Sequence, residues 1–305
     1  MNLIPLVNLQ GKMLLLVLAG IVLRKRGLLR ESANSVLTDL LIYLILPCNI
    51  ISSFFIEFNI DILKGFGIIL IISTLIQVAS LLIAHISYNK EIPGEKKALQ
   101  FGTICSNANF MGNPIAESVY GAEGLMYASI FLIPMRIVMW SAGISYFTES
   151  PGQKEVVKKV LTHPCIVAVY IGMILMLLQI SLPFFLEGTI RSLGDCTTVL
   201  SMMLIGTILA EAEPRSLINK STMKYIFIRL ILLPFLVFTC CRLFHIKPLL
   251  SGISVLLTGM PAGSTTAILA AKYDGNYIFA TRCVVMSTFF SLVTIPLWCL
   301  ALIYL

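Results

Sequence analysis

The sequence predicts an all-α polytopic membrane protein: ten transmembrane helices in two inverted five-helix repeats, with helices 4 and 9 interrupted. Three observations lead there. Of 305 residues, 58% are hydrophobic and only 12% charged, about half the charge of a soluble domain. Apolar runs of roughly 20 residues recur from end to end, each long enough to cross a bilayer core of about 30 Å. Two of those runs, one in each half, carry clustered amides, prolines or glycines. Irregular backbone at membrane depth is tolerated only against protein or beside a water-filled cavity.

The spans fall at about 4–23, 34–56, 65–87, 98–119, 123–147, 162–181, 190–210, 223–243, 249–271 and 277–303. The first ends in Arg24, Lys25 and Arg26 without a small-residue cleavage site, so it reads as a retained span rather than a removed signal. Charge clusters and breakers separate the others: Lys90 to Lys97, Glu149 to Lys159, and Glu211 to Lys224. The loops after the odd-numbered spans hold fourteen Lys and Arg, and the opposite loops hold four. The positive-inside rule then puts both termini on the extracytoplasmic side of a plasma (inner) membrane. The same asymmetry accounts for the net charge of +7 with lipid as the partner and no nucleic acid. Eight cysteines without a CxxC pair, and His85, His163 and His245 scattered near span ends, predict neither a disulfide framework nor a metal site. No cofactor is expected.

An odd number of spans per half inverts the second half. Residues 1–147 form the first repeat, 148–161 a cytoplasmic linker, and 162–305 the second repeat. Sliding 101–147 onto 255–301 at a constant offset of 154 superposes Gly121 on Gly275, Ala108 on Ala262, and Asn107 on Pro261. The fourth span contains CSNANFMGNPIAESVYG, residues 105–121, and the ninth TGMPAGSTTAILAAKYDG, residues 258–275. Pro261 removes a backbone donor, and Gly259 and Gly263 loosen the same region. Broken helices in corresponding positions of two inverted halves mark a transporter's binding site near the midplane. Helices restarting after Asn107 and Pro261 would aim their N-termini at the centre, each with roughly half a positive charge, which favours an anion.

The pattern S-N-x-N-F-M-G-N-P-x-x-x-x-x-Y-G-x-E-G-L, followed by Trp140 in span 5, resembles the auxin efflux carrier family of membrane transport proteins. That family includes plant PIN-type carriers and bacterial permeases for malate or malonate. LILPCNI (44–50), GMPAGSTTAILAAKYDGN from Gly259, and MSTFFSLVTIPLW from Met286 agree with it. The resemblance implies that helices 4 and 9 cross, in an NhaA-like and bile-acid-symporter-like fold. It also implies a scaffold bundle of spans 1, 2, 6 and 7, a moving transport bundle of spans 3–5 and 8–10, and elevator-type alternating access. Asn107 matches the asparagine that contacts a carboxylate in the plant carriers, and Pro261 the second crossover proline. Ser106 stands where those carriers have the first crossover proline. The short loop between spans 5 and 6 lacks their long regulatory insert, which suits a bacterial member.

The expected substrate is therefore a small organic anion, a mono- or dicarboxylate such as malate or malonate, with an auxin-like aromatic carboxylate as the alternative. Ser106, Asn107, Asn109, Pro261, Gly263, Ser264 and Thr265 are expected around it, with Asn49 and Arg136 as helpers. Arg136 lies mid-span, where a charge is costly and by default functional, with Glu117 a conceivable partner. Arg229, read near the start of span 8, and Arg282 are expected to snorkel to the surface. Asp39, Asp195 and Glu117 are candidates for coupling to a proton or sodium ion. Coupling and oligomeric state stay open, with a homodimer one arrangement. A membrane-embedded enzyme or sensor is the competing class. It is disfavoured because Ser106 and Ser264 have no deep histidine to activate them, no GxSxG or HExxH motif occurs, and no output domain is present.

Overall fold

The computed structural model describes residues 3–56, 60–143, 146, 152–210, 219–263, 265–272 and 276–304. All regular elements among them are helical. In chain order these are α1 (Leu3–Lys25), α2 (Glu31–Leu40), α3 (Leu46–Ser53), α4 (Ile60–Ser87), α5 (Pro93–Ile104), α6 (Asn113–Val138) and α7 (Gln153–Leu161). There follow α8 (Pro164–Leu177), α9 (Phe184–Ala210), α10 (Lys220–Phe227), α11 (Leu233–Leu243), α12 (Pro248–Thr258), α13 (Thr265–Lys272) and α14 (Tyr277–Tyr304).

Six helical stretches among the described residues are long and apolar enough to cross a membrane: Ala33–Ser53, Ile60–Ser87, Ala108–Val138, Phe184–Ala210, Lys220–Leu243 and Tyr277–Ile303. Their outer faces present Leu15, Ile71, Leu75, Phe289 and Val293, each more than 60% exposed. Serines, threonines and amides such as Ser73, Gln77, Ser254 and Ser291 are buried between helices. A soluble protein would place these the other way round, so this is a multi-pass membrane protein.

Three prolines shape the helices in one way. Pro47, Pro114 and Pro234 each lie two residues after a π-helical turn, at Leu41–Ile45, Ala108–Gly112 and Ile228–Leu232. A proline cannot donate to the carbonyl four residues back and its ring collides with it. Widening the preceding turn by one residue relieves that clash while the helix continues. Gly121 interrupts α6 with φ 69° and ψ −161°. The chain doubles back there, because Arg136 hydrogen-bonds Asn109 at 2.9 Å, whereas a straight helix would set them about 40 Å apart.

The helices pack in two groups. α1 and α3 lie on α9, and α3 also on α8; α4 lies on α5 and α6, α11 on α12, and α14 on α5, α10 and α13. Between α1 and α9 the backbones nearly touch at Gly20 and Gly206, where a Cβ on either would strike a backbone carbonyl of the other helix. Small residues permit this approach where apolar burial gives no drive between helices in lipid. One core runs through both groups around Met13, Leu46, Phe54, Ile115 and Leu257. A second, around Tyr88, Phe101, Tyr225 and Phe279, joins α5, α10 and α14 to the end of α4 and reaches α11 and α13.

Candidate functional site

Two helices stop inside the protein and meet. α5 ends at Ile104 and Cys105 turns extended, with φ −118° and ψ 95°. Helix resumes at Ala108. α12 ends at Thr258, and α13 begins at Thr265. Between the breaks, Ser106 and Ala262 form an antiparallel β-bridge. The N–H of Asn107 donates to Pro261 O at 2.8 Å, and the N–H of Gly263 to Cys105 O at 3.3 Å. The second break is further tied down by Ala262 N–H, which donates to Ser287 Oγ of α14 at 3.1 Å. These bonds satisfy backbone groups that no water could reach, as a break at membrane depth demands. Gly112 lets the segments close, since a Cβ there would meet Leu257 at 2.6 Å and Met260 at 3.2 Å.

One side chain holds both breaks from the far side. Arg229, 3% exposed, donates from Nε to Met260 O at 2.9 Å and from Nη1 to Thr103 O at 2.8 Å. Those carbonyls lie at the C-terminal ends of α12 and α5. Each end carries about half a negative charge, so one guanidinium balances the pair. Tyr225, one turn earlier, donates from its hydroxyl to Gly102 O at 3.0 Å and extends the same clasp. The two N-terminal ends, at Ala108 and Thr265, carry about half a positive charge each. Among the described residues no carboxylate hydrogen-bonds to either.

Asn107 sits where the open end faces the other helical group. It is 5% exposed, and its amide has no hydrogen-bond partner among the described residues. With Phe110 it lines a narrow gap against Leu204, Ile205 and Ile208 of α9 and Val284 and Thr288 of α14.

The residues singled out in the sequence fall into three clusters. Ser106, Asn107, Pro261 and Gly263 meet at the bridge, with Thr265 starting the next helix; Ser264 lies outside the described residues. Asn109 and Arg136 form the second cluster: Arg136 is 3% exposed and bonds the Asn109 amide oxygen through Nη2, while its Nη1 finds no partner among the described residues. Asn49 and Glu117 form the third, with the Asn49 amide 3.2 and 3.4 Å from the two carboxylate oxygens. Asp195 is exposed on α9 next to Gly194, whose carbonyl also accepts from Asn49 at 3.4 Å. Asp39 is exposed on α2 and bonds to none of these groups.

Two expectations are corrected. Glu117 is not the partner of Arg136, because the reversal at Gly121 carries Arg136 back to Asn109 and leaves Glu117 near the turn. Arg229 does not snorkel. Its helix begins at Lys220, capped by Asn219 accepting from Thr222 N–H at 2.7 Å, which sets Arg229 a further turn into the protein than a start at 223 implies. The bridge sets Asn107 opposite Pro261 and Cys105 opposite Gly263. The mid-helix arginine and the asparagine cap were the available signals for Arg229.

Comparison with known proteins adds the family. The model of the membrane transport protein family matches residues 11–159 and 151–299. An uncharacterized transporter of Methanothermobacter thermautotrophicus is 26% identical over 296 residues, covering 95% of this chain and 96% of its own. An uncharacterized transporter of Methanocaldococcus jannaschii is 26% identical over 303 residues, covering 93% and 95%. With nearly its whole length matched and two helices broken where the auxin efflux carrier pattern had pointed, the chain belongs to the membrane transport protein family.

Proposed function

We propose that this protein is a secondary transporter of a small organic anion, a mono- or dicarboxylate such as malate or malonate, bound where the broken helices cross. The observation that carries this reading is the bridge between Cys105–Asn107 and Pro261–Gly263. In this reading the helix N-termini at Ala108 and Thr265 and the Asn107 amide face the solute, while Arg229 neutralises the C-terminal ends at Thr103 and Met260. Asn107, Thr265 and Ser264 contact the solute, and Arg136, held by Asn109, adds positive potential nearby.

The two helical groups support alternating access of the elevator type: α4–α6 and α10–α14 carry the site along a scaffold of α1–α3, α8 and α9. Ten spans in two inverted repeats, both termini outside the plasma membrane, complete the reading. The test is uptake of labelled malonate and malate by purified protein in liposomes. Saturable uptake that Asn107→Ala abolishes supports the assignment. Absence of carboxylate flux, together with unchanged carboxylate binding in Asn107→Ala, refutes it.

A further inference from the structure

Asn49 and Glu117 make a polar contact between the two helical groups, α3 on one side and α6 on the other. Asn49 is 2% exposed. Its amide nitrogen has two hydrogens and two uses: the Glu117 carboxylate, 3.2 Å from Oε2 and 3.4 Å from Oε1, and Gly194 O at 3.4 Å. Its amide oxygen is buried and has no donor among the described residues. Such an orphan acceptor is destabilising. A carboxylate cannot cure the defect, because it only accepts. A carboxylic acid can. Its O–H donates to Asn49 Oδ1 while its carbonyl oxygen accepts from Nδ2, closing a cyclic acid–amide pair.

We propose that Glu117 is the proton-binding site of this protein and that its proton is the coupling ion. This rests on the transporter reading. The reaction is protonation alone: the Glu117 carboxylate takes a proton from water at the half-buried end of its contact, and the new O–H bonds Asn49 Oδ1. The consequence is mechanical. Ionised Glu117 has to be drawn past the apolar flank of α3 and α9 whenever the groups slide, and an unpaired charge there is costly. Neutral Glu117 carries no such penalty, so proton occupancy decides when the groups move.

The ionisable groups around it are few. Asp195 of α9 faces it, and Cys48 of α3 precedes Asn49 and is half-buried. Tyr120 and Glu123 follow on its own helix, and α12 brings no ionisable side chain over Pro248–Thr258. On α8 these are Cys165 and Tyr170, and α4 carries Asp61, Lys64 and His85.

The experiment is a pH-difference infrared titration of the purified protein in lipid, which reads the carboxyl C=O band without any substrate. A protonated-carboxyl band that titrates in wild type and is lost in Glu117→Gln is the expected result. Asn49→Ala should move its midpoint, since the amide that bonds this carboxyl is gone. If Glu117→Gln is poorly folded, the Asn49→Ala shift decides alone. A band that persists in Glu117→Gln, or a midpoint unmoved by Asn49→Ala, overturns the proposal. In a second arm, malonate is added to liposomes holding a pH-sensitive dye: proton movement in wild type and none in Glu117→Gln is expected, and malonate uptake without proton movement refutes coupling. If the band behaves as expected but no carboxylate crosses, the transporter reading fails and the coupling with it, while the proton site stands.

Discussion

Replacing Arg229 by methionine keeps the length of the side chain and removes both donors to the crossing. Thr103 O and Met260 O, now at 2.8 and 2.9 Å from the guanidinium, are left buried without it. Hydrogen bonds to charged groups contribute about 1.5–3 kcal/mol each, so the pair is worth about 3–6 kcal/mol. At about 2 °C per kcal/mol for a chain of this size, melting falls by on the order of 10 °C. Lysine restores a charge but presents no planar fork, and recovers about half of the loss. The assay is thermal unfolding in detergent with a thiol-reactive dye, for which the protein is equipped: Cys105, 1% exposed, lies at the break itself, and Cys165 and Cys283, 0% exposed, lie elsewhere in the core. With the exposed Cys196 and Cys240 replaced by serine, Cys105 in the methionine variant should react before Cys165 and Cys283, ahead of global melting. A shift smaller than about 2 °C, with Cys105 labelled no earlier than Cys283, would refute the clasp.

Asn107→Ala should leave stability within about 0.5 kcal/mol of wild type, since the amide supports nothing in the fold and only its backbone N–H does; the same variant should lose the thermal stabilisation that malonate or malate confers, measured side by side. Gly206→Leu should abolish accumulation of folded protein, read by size-exclusion profile, because its side chain would enter the α1 backbone around Val17 and Gly20. Glu91, in the loop between α4 and α5, accepts from Ser221 Oγ at 2.7 Å and Lys224 Nζ at 3.1 Å, and Lys224 also donates to Ser87 O. The Ser221 hydrogen bond, then that from Lys224, holds its carboxyl below the ordinary glutamate range. A depressed folded-state value means that this stabilisation is full above the unfolded glutamate range and is lost as pH falls through the folded one. Melting temperature measured down an acid series should therefore fall more shallowly in Glu91→Gln.

Much of the architecture was legible because hydrocarbon imposes a narrow grammar: apolar runs of span length, with charges at their ends, admit little but helix. The breaks were legible too, since amides, glycines and a proline clustered inside one such run weaken a helix. What escaped depended on where the chain goes next. Arg136 and Asn109 meet only because Gly121 reverses the path between them. Asn49 reaches Glu117 across 68 positions, and no periodicity encodes that distance. Arg229 was hidden by hydropathy itself: an apolar run starts later than its helix when the first turn is Lys220–Met223.

The bridge also fixes which positions must keep their backbone hydrogen. Only Asn107 and Gly263 donate across it, while Cys105 and Pro261 accept; Ser106 and Ala262 point their N–H groups away from each other, and that of Ala262 goes to Ser287. An imino acid is therefore compatible with position 106, where the plant carriers have one, and it already occupies 261. The same residue at 107 or 263 would cut one of the two threads joining the halves. The backbone of the crossing thus depends on the amide protons of 107 and 263, whatever side chains flank them at 106 and 262.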